Sequence, residues 1–300
     1  MDKLVEMRGK ELKLTNLDKI FWPNGLTKTD LIKYYAAIAP TLLKYVKNRP
    51  FVMVRYPDGI GGKHFYQKNC PQYAPLWIDT YPIFSESRNS KTDFIICNDV
   101  ETLIWLANQG CVEAHVWLSK IDHITYPDIA VFDLDPVPPA TFEDTLGVAL
   151  LIKEALAEFN LEGFPKTSGA LGLHIFVPIE PKYTYEQVRE FVAYFCRLIT
   201  QIYPTKTSIE RIVKNRQGKV YLDYLQNGWG RTIAWVYSLR PEEGAPVSTP
   251  LEWREVSEGV NPQKFNINTI FKRLEEKGDI FYPVLVKKQS LDEIFEKIFP

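Results

Sequence analysis

Three aspartates carry the most chemistry in this sequence. Asp133 and Asp135 stand two residues apart in Phe132-Asp133-Leu134-Asp135-Pro136, and Asp223 lies in Tyr221-Leu222-Asp223-Tyr224. Side chains alternate between the faces of a strand, so Asp133 and Asp135 point one way and Leu134 the other. Two carboxylates on one face repel, and holding them together near a core costs energy unless a cation sits between them. Magnesium or manganese suits such a pair, because hard cations take oxygen ligands. The plain alternative is a strand end whose acids meet solvent. Asp223 falls within an apolar strand pattern, where a lone carboxylate needs a partner, either a metal or a Lys or Arg. Three carboxylates on strands are what two cations need to activate a hydroxyl and steady a leaving pyrophosphate.

A second group is Lys166-Thr167-Ser168-Gly169-Ala170-Leu171-Gly172-Leu173-His174. Gly169 and Gly172 let the backbone turn sharply and bring amides close to a ligand. Ser168 adds a hydroxyl, and Lys166 and His174 add further donors, a set that suits a triphosphate. An ordinary turn followed by a core histidine would read the same way, and the pattern is not the Walker sequence.

Charge is distributed unevenly. Residues 1–49 hold ten Lys or Arg against five Asp or Glu, and residues 206–219 hold five against Glu210 alone, within a chain of net charge -1. Two basic segments fit a footprint on a phosphate backbone, and solvated surface charge fits as well.

The elements that must position these groups follow from local pattern. Thr27-Lys28-Thr29-Asp30 resembles a capping box ahead of a helical run through Leu31, Tyr34, Tyr35 and Ile38, which Pro40 is expected to break or kink. Strands are expected at 51–56, 93–97, 129–135 and 173–179, and helices at 141–159 and 184–202. The polar stretch Ser85–Ser90 reads as a loop. Residues 219–225 and 232–239 read as a strand pair joined at Gly228-Trp229-Gly230. The tail, 262–300, reads as helical at both ends with an extended piece at Phe281-Tyr282-Pro283. Strands and helices interleave without a composition break, so one mixed α/β unit is expected. No stretch reaches the ~20 apolar residues of a membrane span. No secretory signal is visible at the start. The four cysteines form no C-x-x-C pair, which fits a reduced cytoplasmic chain without a zinc site.

Asp133-Leu-Asp135-Pro, Lys166-Thr-Ser-Gly-x-x-Gly-x-His174 and Val220-Tyr-Leu-Asp223-Tyr, in this order, closely resemble the archaeo-eukaryotic primase superfamily. The nearest likeness is to the polymerase domain of bacterial ATP-dependent DNA ligase D. It extends to Leu14-Thr-Asn-Leu-Asp-Lys19, to Gly110-Cys111-Val112 with His115, and to Val247-Ser-Thr-Pro-Leu251. With no ligase or nuclease segment in these 300 residues, a stand-alone version is expected. The resemblance implies an α+β primase-polymerase domain over 1–300, with central, mainly antiparallel sheets flanked by helices. Within it, a basic DNA-end-binding part would span about 1–50, a catalytic core about 51–255 and a helical tail about 256–300.

The resemblance also implies roles. Asp133, Asp135 and Asp223 would bind two ions of Mn2+ or Mg2+, with Asp223 also assisting deprotonation of the primer 3′-hydroxyl. Ser168, Gly169, His174 and Lys166 would hold the incoming triphosphate, and Arg240 would add a charge to it. Tyr66 would stack on the base where relatives often have Phe, and His115 would lie near the sugar or the metals. Lys19 and Lys28 would grip a 5′-phosphate downstream of a gap or break, and Arg216, with Lys214 in the same loop, would hold the DNA end and primer terminus. Val54 departs from relatives that carry Lys there, which leaves that nucleotide contact to Arg55 or absent. The implied activity is a DNA-repair polymerase that fills gaps in bacterial non-homologous end joining, working near the nucleoid, with a preference for manganese and ribonucleotides. The implied partners are a separate ATP-dependent ligase and a Ku-like end-binding protein, with two molecules able to pair across DNA. A de novo primase, a catalytically vestigial DNA-end-binding module and a metal-dependent phosphohydrolase are the competing readings.

Overall fold

Local signals set where the elements begin, and long-range pairing decides which strands exist at all. The computed structural model describes residues 2–85 and 89–298. It divides into one unit made of Met1–Asp122, Thr232–Ser248 and Gln263–Glu275, and another made of His123–Arg231, Thr249–Pro262 and Glu276–Pro300. Among the described residues no helix is long and apolar enough to cross a membrane.

In the first unit, β1 (Lys3–Met7) and β2 (Lys10–Leu14) pair antiparallel. Helix α1 (Lys28–Val46) starts in a complete capping box: Thr27 Oγ accepts from the Asp30 amide, and the Asp30 carboxylate accepts from the Thr27 amide. The expected break at Pro40 does not occur, and the helix runs on to Val46. Burial of Leu42, Leu43, Tyr45 and Val46 beyond the proline offsets the lost backbone bond.

The chain continues through β3 (Pro50–Arg55), β4 (Phe65–Gln67), β5 (Thr80–Ser85), β6 (Ser90–Ile96), α2 (Val100–Asn108) and β7 (Cys111–Val116). The sheet order is Ile233–Ala234, β7, β3, β6, β5, with β4 also paired to β3, and every pair is antiparallel. Ser85 and Ser90, the ends of the expected loop, face each other as the last pair of the β5–β6 ladder. The middle of that stretch, Glu86-Ser87-Arg88, lies outside the described residues.

In the second unit, β8 (Ile129–Pro136), α3 (Phe142–Ala157), β9 (Phe164–Thr167), β10 (Leu173–Pro178), α4 (Tyr185–Ile202), β11 (Thr207–Ser208) and β12 (Val220–Leu222) follow in order. The sheet runs β11-β12-β8-β10-β9, antiparallel except for β11 beside β12. Phe132 of β8 meets Phe191 and Phe195 of α4 edge-on, with centroids 6.3 and 5.9 Å away. Such contacts add about 0.5–1.5 kcal/mol each beyond the buried area. Alternation therefore turns Asp133 and Asp135 to the sheet face away from α4. The fold is α+β with mainly antiparallel sheets, as expected.

Two further expectations need correction. Residues 219–225 and 232–239 do not pair with each other. The first contributes β12 beside β8, while Ile233–Ala234 pairs with β7 in the other sheet. The ladder from β12 ends because Tyr224–Asn227 turns into a 3-10 helix. Beyond it the Asn227 amide takes over, with Oδ1 accepting from Val131 N and Nδ2 donating to Val131 O, both at 2.8 Å. The piece at Phe281-Tyr282-Pro283 is likewise not extended. Pro283 occupies the first turn of a short helix, Pro283–Val286, where its missing N–H costs nothing.

Asn227→Ala leaves two buried backbone groups of Val131 without these partners. We expect a loss of about 2–3 kcal/mol, read as a lower urea midpoint at unchanged slope.

Candidate active site

Antiparallel register assembles a row of side chains across the second unit's sheet. His174 on β10 pairs with Asp133 on β8 at one edge and with Lys166 on β9 at the other. Paired residues share a face, and their side chains meet. Lys166 Nζ lies 2.9 Å from His174 Nδ1, and His174 Nε2 lies 3.1 Å from Asp133 Oδ1. An ammonium can only donate, so it takes the Nδ1 lone pair and leaves the ring proton on Nε2, the nitrogen nearer the Asp133 carboxylate. Lys166 is 0% exposed. The sequence marks it as a triphosphate donor, and the structure places its ammonium against the histidine.

On the other side of β8, Tyr221 pairs with Asp135, and the Asp223 amide donates to the Asp133 carbonyl at 2.9 Å. Backbone pairing thus brings the three aspartates to neighbouring positions. Their carboxylates are less close. Asp223 Oδ1 accepts from the Leu225 amide at 3.1 Å and from the Tyr221 hydroxyl at 3.3 Å, capping the 3-10 turn. Burial and the Asp223 charge push the Tyr221 phenol up to about 12. Among the described residues no group of three or more His, Cys, Asp or Glu side chains is gathered so that it could hold a metal ion. The donor chemistry nonetheless fits a hard cation, with carboxylate oxygens and no thiolate. Gly172 packs closely against them: a Cβ there would stand 2.6 Å from the Leu134 carbonyl and 2.8 Å from Asp135 Oδ1.

The loop before β10 is folded on itself. Ser168 Oγ accepts from the Ala170 amide at 3.1 Å and the Gly172 amide at 3.0 Å, and Gly169 has φ +82°. Among the described residues the Ser168 hydroxyl proton has no acceptor. Lys214 is exposed, and the Arg216 guanidinium lies 3.7 Å from the centre of the Tyr221 ring, a cation–π contact.

The first unit holds a separate cluster, centred on a residue to which the sequence reading gave no role. Glu113 is 4% exposed. Its Oε2 receives Arg240 NH1 at 2.9 Å and His115 Nε2 at 3.3 Å, and its Oε1 receives the Tyr56 hydroxyl at 3.0 Å. Burial works to raise its pKa, yet the His115 hydrogen bond and the Arg240 charge hold it below the usual carboxylate value. The half-exposed Tyr66 ring stands edge-on to His115, centroids 5.8 Å apart. A signal was available: Glu113 and His115 alternate in the apolar run of β7 just as Asp133 and Asp135 do in β8.

Arg55 keeps other company. Its Nε donates to Gln109 O at 2.7 Å, and NH1 donates to Gln67 at 2.6 Å and to Tyr73 at 2.9 Å. Val54, opposite Tyr66 on one side and Glu113 on the other, is fully buried. Lys19 Nζ donates to Pro57 O and Asp58, both at 2.7 Å. Lys28 is buried with Nζ donating to Thr15 O at 2.7 Å. Desolvation, together with the charges of Lys19 and Arg55, lowers its pKa to about 8.

The LigD primase-polymerase domain family matches residues 27–281. The chain belongs to this family. It is 36% identical over 274 residues to the bifunctional non-homologous end joining protein LigD of Bacillus subtilis, covering 91% of this chain and 44% of that protein. It is 31% identical over 251 residues to the multifunctional non-homologous end joining protein LigD of Pseudomonas aeruginosa, covering 83% and 30%. The chain therefore spans less than half the length of these curated relatives. Among solved structures, the polymerase domain of Mycobacterium tuberculosis Ligase D in complex with DNA superposes with a TM-score of 0.84 at 26% identity, covering 93% of this chain and 99% of that one.

For this LigD-type domain, Gly172 gives the most direct test of the site's packing. Gly172→Ala drives a methyl into backbone and carboxylate, so the loop or β8 must shift. We expect about 1–3 kcal/mol of destabilisation, together with weakened nucleotide binding, measured by thermal unfolding and by equilibrium titration with a nucleoside triphosphate.

Proposed function

We propose that this chain is a template-directed nucleotidyltransferase of the primase-polymerase type, which extends primers and fills gaps at DNA breaks. The observation that best supports this is the cross-strand row Lys166–His174–Asp133, with Asp223 joined to Asp133 through the backbone, in a chain of the LigD primase-polymerase family. The relatives' names place them in non-homologous end joining, and the solved M. tuberculosis domain is held on DNA. Gapped or broken DNA with a 5′-phosphate is accordingly the proposed substrate. A separate ATP-dependent ligase and a Ku-like end-binding protein are the proposed partners.

Asp133, Asp135 and Asp223 would hold two divalent cations, manganese or magnesium. Bound there, the cations would ease deprotonation of the primer 3′-hydroxyl and neutralise charge on the leaving pyrophosphate. His174 presents a proton on Nε2 and Ser168 a hydroxyl proton, both suited to phosphate oxygens. Lys166 keeps that histidine proton in place from behind. Tyr66 would offer a ring to a base, and His115 and Arg240 polar contacts to sugar and phosphate. Lys19 and Lys28 take the 5′-phosphate, while Lys214 and Arg216 track the DNA end. Ribonucleotides are the proposed preferred substrates.

Primer extension on gapped DNA, comparing metals, sugars and 5′-phosphate status, tests the reading. The chain should extend the primer with manganese, and Asp133→Ala should lower the rate by at least about a hundredfold with the fold retained. Absence of incorporation by the unaltered chain under every metal would sink the proposal.

Lys28 adds a pH signature. In the free protein its amine is cationic below about pH 8 and neutral above. Preference for a 5′-phosphorylated gap should therefore fall as pH rises through that value. Gap binding measured from pH 6.5 to 9.5, with and without the 5′-phosphate, checks this, and a flat ratio would remove Lys28 from the phosphate site.

A further inference from the structure

Three donors from three parts of the first unit close on one buried carboxylate. Tyr56 follows β3, His115 shares β7 with Glu113, and Arg240 comes from the segment after Ile233–Ala234. An ionised acceptor makes each of these bonds charge-assisted, and the Arg240 contact is an ion pair as well. The guanidinium is anchored through NH1, while its Nε has no hydrogen-bond partner among the described residues. Five N–H donors in a fixed fork cannot all be spent on one carboxylate oxygen. The cluster also borders solvent, since Tyr66 is 57% exposed and stands against the His115 ring. A buried ion pair is weak as a device for stability alone, because apolar packing of the same volume serves as well.

We propose that Glu113 is a positioning residue. Its carboxylate tethers Arg240 and His115, and through the His115 ring also Tyr66, in the arrangement that receives a nucleoside triphosphate. This rests on the reading above of Tyr66, His115 and Arg240 as nucleotide contacts. Glu113 itself touches no substrate. Its work is to fix the fork of Arg240 by one edge, so that binding does not have to order a long side chain. Val54 fits this arrangement: placed between Tyr66 and Glu113, it brings no second cation to compete for the carboxylate.

The test uses Glu113→Gln, which keeps shape and an acceptor oxygen and removes the charge. In primer extension by the full chain, KM for the nucleotide should rise about tenfold, the size expected for losing one hydrogen bond to a charged group, with a smaller change in kcat. The same substitution in an Arg240→Ala background should add little, because its effect runs through Arg240. A merely structural role would instead lower the melting temperature and leave KM unmoved, or give effects that add across the pair. Either result overturns the proposal, as does a fall in KM, which would mean that the carboxylate competes with the triphosphate. If Glu113→Gln does not fold, Tyr56→Phe replaces it by removing one bond to the carboxylate. It should raise KM about threefold, and an unchanged KM overturns the proposal equally. Failure of the unaltered chain to bind or incorporate any nucleotide overturns the function itself. An active chain with an unchanged KM in the variants overturns this inference alone.

Discussion

Everything proposed for the second unit depends on the register in which β8 is held between β10 and β12. A strand displaced by one residue turns every side chain to the opposite face. Asp133 and Asp135 would then lie under α4, and Phe132 would point away from Phe191 and Phe195. The aromatic contacts on one face and the acids on the other are two results of a single alignment. His174, Lys166 and the Asp223 amide are each placed by hydrogen bonds to that strand or to its neighbour. The apolar packing is thereby what keeps the polar row assembled.

The two units divide the chemistry by charge. The second offers carboxylates with a histidine whose proton is directed by a buried lysine. The first offers cations and rings: a lysine whose pKa burial lowers to about 8, a second lysine held to Asp58, and an arginine anchored to Glu113. Among the described residues, the buried charges of Lys28, Glu113 and Lys166 each have a partner, as the cost of burying them requires. Nowhere is this clearer than at Glu113, where burial alone would favour the neutral acid and the surrounding donors reverse that preference.

Much of this was legible in the sequence, and the limits are physical. β8 and β10 were readable because a buried strand is a continuous apolar run bounded by turn residues. The capping box at Thr27 marked one helix start. β4 and β5 were not readable, since they exist through pairing with β3 and β6 rather than through an apolar pattern of their own. Of the break or kink that Pro40 suggests, the break does not occur, because tertiary burial outweighs a local rule. At the site, the alternation of Asp133 and Asp135 was visible, but the turning of the Asp223 carboxylate toward Leu225 depends on a 3-10 turn that no periodicity announces. In the sequence Lys166 is a donor beside two glycines and a serine, a pattern that suits a triphosphate. Its ladder position opposite His174 is a long-range fact. Glu113 carried the same i, i+2 signature as the aspartates, yet it lay inside a motif quoted only for its histidine.

The Asn227 side chain has a consequence for how this molecule behaves among its copies. Past the end of β12, the flank of β8 would present bare amide and carbonyl groups, the kind of edge on which a foreign strand can add. One carboxamide satisfies both groups of Val131 and so removes the first rung of any such template. The sheet is closed there by a side chain instead of by another strand. Protection against edge-to-edge association is thus built into the same short turn that begins at Asp223.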